Sequence, residues 1–111
     1  MIDALIGGKI YGKPVQRTGN SGKPFTVAKV RVAAGDGDML FVSVIAFLES
    51  VGTALLALDD GDSVALSGAL TPKVWTDKAG TAKPALDLVA HSITSAYHVT
   101  HKREAMQQVS T

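Results

Sequence analysis

The chain contains no cysteine. Disulfides, zinc-thiolate sites and cysteine nucleophiles are therefore excluded, and a reducing cytoplasm is the expected setting. Aromatic residues make up only 5% of the sequence, so each ring has to be placed individually. No apolar stretch approaches the roughly 20 residues that cross a bilayer, so no membrane partner is expected. The first residues, "MIDALIGGKIYG", lack a basic start, a long apolar run and a cleavage site, and they do not read as a signal peptide. The formal net charge is only +1, a balance that by itself points to no partner.

The 111 residues suit one domain, and the 46% hydrophobic content is enough for a packed core. Charge is unevenly spread. Residues 1–34 carry Lys9, Lys13, Arg17, Lys23, Lys29 and Arg31 against Asp3. Residues 35–64 carry Asp36, Asp38, Glu49, Asp59, Asp60 and Asp62 and no lysine or arginine. Such segregation fits a molecule with one basic and one acidic side, or simply loops and helix ends of different charge.

Periodicity gives the elements. Residues 4–11, "ALIGGKIY", read as a strand with a bulge or bend at Gly7-Gly8. The segment 12–24, rich in Gly and Pro, reads as a flexible loop. Residues 25–34, "FTVAKVRVAA", alternate: Thr26, Ala28, Val30 and Val32 fall on one face, Lys29 and Arg31 on the other. After a tight "GDGD" connection, residues 39–47 form a third strand. Val51, Ala54, Leu55 and Leu58 then recur at helical spacing, predicting a short helix over 49–58 that Gly52 weakens and Gly61 ends. A fourth strand covers 63–75 with a bulge at Gly68, a hairpin loop 76–83, and a fifth strand 85–97. Residues 1–98 are taken as one domain and 99–111 as a polar, flexible tail. Three strands, a short helix and two strands match an all-β fold, a five-stranded OB-fold Greek-key barrel with one helix between strands three and four. A ferredoxin-like fold needs two crossover helices, and only one is available.

The same parity selects candidate binding residues. Trp75, the one tryptophan, shares the odd face of the fourth strand with Lys73. In the third strand either face could be inward on composition; if the smaller residues fill the barrel, Phe41 and Phe47 point out. Lys29, Arg31, Phe41, Phe47, Lys73 and Trp75 then form one outer set, with Lys13, Arg17, Lys23, Lys78 and Lys83 in the flanking loops. Rings interleaved with cations are what single-stranded nucleic acid requires: aromatics stack on any base, and Lys and Arg hold phosphates. Taken singly, each ring is more often core or subunit interface, and loop lysines are usually solvated.

Other chemistries find no support. His91, His98 and His101 have no carboxylate placed to join them, so no metal or cofactor is expected. "GDGD" lacks the closing glutamate of a calcium loop. "GGKIYG" lacks a Walker ending, and Ser43 has no identifiable base, so no enzymatic activity is expected.

The run "GALTPKVWTDKAG" resembles the fourth strand and hairpin of the bacterial-type single-stranded DNA-binding protein family. "ALIGGKIYGKPVQRTGNSGKPFTVAKVRVA" and "FVSVIAFLESVGTALLALDDGDSVALSG" are similar to its first three strands and helix. The resemblance implies base stacking at Trp75, Phe41 and Phe47, basic contacts at Arg17 and Lys73, and a homo-oligomer, usually a tetramer. It implies roles in DNA replication, recombination or repair. Three departures stand out. "GDGD" replaces a long basic, aromatic-bearing loop, Asp59 and Asp60 stand where members often carry basic residues, and "MQQVST" is not the family's acidic tip. Partner recruitment through such a tip is therefore not expected. A phage, plasmid or mobile-element member fits. So does a primosomal-type OB dimer acting mainly in protein interaction, with weak DNA binding.

Overall fold

The computed structural model describes residues 2–33, 35, 37 and 39–95. The elements are β1 (Ile2–Thr18), β2 (Pro24–Ala33), β3 (Met39–Ala46), α1 (Glu49–Leu56), β4 (Ser63–Thr76) and β5 (Ala82–Ser95). The strands close into a barrel in the order β1-β2-β3-β5-β4. Neighbours are antiparallel except β3 and β5, which run parallel. This is the OB-fold expected from the sequence, with its single helix between β3 and β4. The end of the expected fifth strand, His98, His101 and the expected tail 99–111 lie outside the described residues.

The alternation in β2 and β3 builds the core. Val30 and Val42 have no exposed surface, and Val44 and Ala46 are buried beside them. Phe41 is 46% exposed and Phe47 61%, so the small side chains do fill the barrel and the rings face out. From β4 and β5, Leu66 and Leu88 complete the interior, and Val51, Leu55 and Leu58 from α1 and its C-terminal flank join the same cluster. Glycine at position 52 lets the helix lie against β2, since a Cβ there would come within 2.6 Å of Thr26 Oγ1. The residue that weakens the helix by propensity is thus the one that lets it dock.

β1 differs most from expectation. It runs to Thr18, so 12–24 is not a loop; only residues 19–22 turn. Its first half pairs with β4 from Ile2 to Lys9 and its second half with β2 from Lys9 to Thr18. The ladder with β4 passes Gly7-Gly8 without a register shift. The irregularity lies later, between Tyr11 and Val15, where Gly12 takes a φ of 75° and Pro14 is buried. A bulge is where a strand tolerates a proline, because the ladder needs no N–H there. The β4–β5 ladder shifts register between Ser67 and Gly68, which leaves His91 as the extra residue on β5. A side chain at Gly68 would collide with the Val89 carbonyl.

The 76–83 segment is also more ordered than a flexible loop. β4 ends at Thr76 and β5 begins at Ala82. Between them Asp77 Oδ1 accepts hydrogen bonds from the backbone N–H groups of Ala79 (3.0 Å) and Thr81 (2.9 Å). The Asp77 N–H in turn donates to the Thr81 carbonyl at 3.0 Å.

Candidate nucleic-acid interface

Register places the outer side chains in rungs that cross the barrel wall. On one rung Tyr11 (β1) faces Lys29 (β2), Lys29 faces Ser43 (β3), Ser43 lies beside Asp87 (β5), and Asp87 faces Thr71 (β4). The next rung toward the hairpin holds Lys9, Arg31 and Phe41. On the other side an apolar rung runs through Val15, Val27, Ile45 and Val89. Beyond it stand Arg17 and Phe25.

These rungs enclose a groove of about 660 Å³. Four cations line it, Lys13, Arg17, Lys29 and Lys73, together with the carboxylate of Asp87. Its floor includes the apolar Val27, Ile45 and Val89. A cationic rim over an apolar floor suits a polyanion whose bases are flat and apolar on their faces.

Two ring pairs stand on the outer wall, one at the groove and one in a second cavity. Tyr11 and Phe41 meet edge-on, centroids 5.2 Å apart at 69°. Phe25 and Phe47 form a tilted pair at 6.1 Å. Phe41 and Phe47 lie six residues apart, ~20 Å at the rise of an extended strand. Trp75 is half-exposed on the hairpin arm, two residues beyond Lys73 on β4, and its register partner is Lys83. From Thr71 to Thr76 every residue of β4 is exposed, including Val74 on the opposite face, so the arm projects beyond the core.

Of the candidates from the sequence, Lys13, Arg17, Lys29 and Lys73 come together in the groove, with Arg31 and Phe41 on the adjoining rung. Lys23 and Phe47 stand apart from it, lining a second cavity of about 330 Å³ between α1 and the β2–β3 edge. Lys78 sits in the hairpin turn. Tyr11, Phe25 and Asp87 are the additions from the structure.

Two groove cations already hold a carboxylate. Lys73 Nζ pairs with Asp87 Oδ2, and Lys13 Nζ with Asp59 Oδ1 at 2.9 Å. Exposed pairs of this kind contribute only about 0–1 kcal/mol, so a phosphate can compete for both lysines. Asp59 and Asp60, the acidic departure in the sequence, act on the β1 bulge. Asp60 Oδ1 accepts a hydrogen bond from the Gly12 N–H at 2.7 Å, and the Gly61 N–H donates to the Ile10 carbonyl at 2.7 Å. The segment thus fastens the strand that carries Tyr11, Lys13 and Arg17. Among the described residues there is no cluster of three or more metal-ligating side chains.

No protein-family model matches the chain, and no curated protein matches it. Solved structures do. A small single-stranded DNA-binding protein from Streptomyces coelicolor superposes with a TM-score of 0.67 at 22% identity, covering 85% of this chain and 93% of that one. Rim1, a mitochondrial single-stranded DNA-binding protein from S. cerevisiae, superposes with a TM-score of 0.65 at 17% identity, covering 86% and 94%. The chain shares its fold with both over nearly their whole length.

Proposed function

We propose that this protein binds single-stranded DNA, largely without regard to sequence, across the outer face of β1, β2, β3 and the β4–β5 arm, and performs no catalysis. The observation that carries this is the groove itself: four cations over an apolar floor, with the Tyr11–Phe41 ring pair at one end and the Phe25–Phe47 pair in the second cavity. Bases would stack on Tyr11, Phe41 and Trp75 at the groove and on Phe25 and Phe47 at the second cavity. Lys13, Arg17, Lys29, Arg31 and Lys73 would hold the phosphates, and Lys23, Lys78 and Lys83 would extend the track. The two structural neighbours are single-stranded DNA-binding proteins by description, which supports the reading. Service in DNA replication, recombination or repair follows from it.

The test is a titration of labelled oligo-dT followed by anisotropy at several salt concentrations. For single strands log K falls by about 0.7 per decade of log salt for each phosphate neutralised. The four groove cations and Arg31 beside them therefore predict a slope of roughly −3.5. Salt-independent binding, or none at low salt, refutes the proposal.

We also read the protein as a homo-oligomer, a tetramer or a dimer. Ile2 is 51% exposed and Leu5 76%, on the half of β1 away from the groove. Leu5 lies opposite Ser67, whose hydroxyl meets that of Ser92, so its cross-strand neighbours are small and uncharged, with Asp3 two residues along the same face. Light scattering that returns the mass of one chain at micromolar concentration would refute the assembly.

A further inference from the structure

We infer that Asp87 reads base edges, so that the groove prefers guanine over bases with fewer adjacent donors. This rests on the DNA-binding reading above.

Asp87 is the one carboxylate among the groove's described lining residues. A negative charge there repels phosphate, so the backbone must pass over the cations and leave Asp87 facing something else. The rungs say what that is. Asp87 lies beside Ser43, two residues along β3 from Phe41. At ordinary strand spacings the Phe41 and Asp87 positions are ~8 Å apart. A base lying on the exposed face of Phe41, with its edge directed toward β5, bridges that span.

The chemistry at Asp87 is that of an acceptor. Its Oδ2 is paired with Lys73 Nζ in the free protein, a weak exposed pair that phosphate can displace. An ionised carboxylate offers about four lone-pair sites, so one ion pair leaves acceptor capacity. Its side chain is 38% exposed, open to a ligand from the groove side. In a single strand the Watson–Crick edges are free to be read. Guanine presents N1–H and N2–H side by side and satisfies a carboxylate twice. Cytosine and adenine each offer one exocyclic amine. Thymine's single N3–H is flanked by carbonyl oxygens that repel the carboxylate. The expected order is guanine first and thymine last.

The test compares three oligonucleotides of equal length: all dT, dT with an isolated dG at every third position, and the same with deoxyinosine. Isolated guanines avoid quadruplexes, and inosine lacks only the N2 amine. The wild-type protein should bind the guanine strand about fivefold more tightly than the inosine strand, the low end of a bidentate base contact. Asp87→Ala and the near-isosteric Asp87→Asn should reduce that ratio toward one. A role confined to neutralising Lys73 would change affinity for all three strands alike and leave the guanine-to-inosine ratio unmoved. Equal wild-type affinity for guanine and inosine strands overturns the inference, as does a guanine preference that survives in Asp87→Ala. Failure to bind any of the three overturns the DNA-binding reading itself, and this inference with it.

Discussion

Tyr11 offers the sharpest test of the platform, because only the structure brings it to Phe41. The ring is 51% exposed and rests edge-on against Phe41 at 5.2 Å. Stacking contributes ~1–3 kcal/mol per base when measured by removal of the ring. Since 1.4 kcal/mol is tenfold, Phe41→Ala should weaken oligo-dT binding by roughly 5- to 150-fold. Tyr11→Ala removes its own stacking surface and also the lateral support of Phe41, an aromatic pair worth ~0.5–1.5 kcal/mol. It should therefore cost about as much as a lost stack. If the two rings form one platform, the double variant should lose less than the product of the single losses, with an interaction energy of ~0.5–1.5 kcal/mol. Anisotropy titration of all four proteins gives the cycle, and circular dichroism confirms that each is folded. Tyr11→Ala and Phe41→Ala both binding within twofold of wild type would show that these rings do not stack bases.

Other consequences are independent of that pair. Leu66→Ala, at a side chain with no exposed surface, should destabilise by ~2–5 kcal/mol in urea denaturation. Gly68→Ala should do so as well, because the new methyl meets the Val89 carbonyl; a wild-type midpoint would contradict the close β4–β5 approach. Asp60→Ala removes the acceptor of the Gly12 N–H and should cost about 1 kcal/mol, with faster amide exchange at Gly12 seen by NMR. Asp59→Asn frees Lys13 from its ion pair and should strengthen DNA binding at low salt by a few-fold, an advantage that fades as salt rises.

Much of this face is legible in the chain because strand parity is local. Lys29 and Arg31 alternate with a buried set, and that alone places them outside. The phenylalanines of β3 needed one further argument, that small side chains fill a narrow barrel, and it holds. Tyr11 and Phe25 obey the same parity but are harder to read. Gly12 and Pro14 suggest a loop after Tyr11, whereas the chain absorbs both in a bulge and resumes the strand at Val15. Phe25 stands near the start of β2, where periodicity has little before it to follow. Asp87 becomes visible only through the parallel β3–β5 pairing, a contact between residues far apart in the chain. The acidic 59–62 segment likewise looks like a helix end of the wrong sign until its hydrogen bonds to β1 are seen.

DNA is proposed to lie across the outer rungs of the barrel. Photo-cross-linking with 5-iodouracil-substituted oligo-dT, read by peptide mass spectrometry, tests it most directly, because the excited base couples to rings on which it stacks. Adducts are expected at Phe41, Tyr11 and Trp75, with Phe25 or Phe47 joining as the oligonucleotide lengthens. Adducts confined to α1 or the 59–62 segment, with none on these rings, would contradict it.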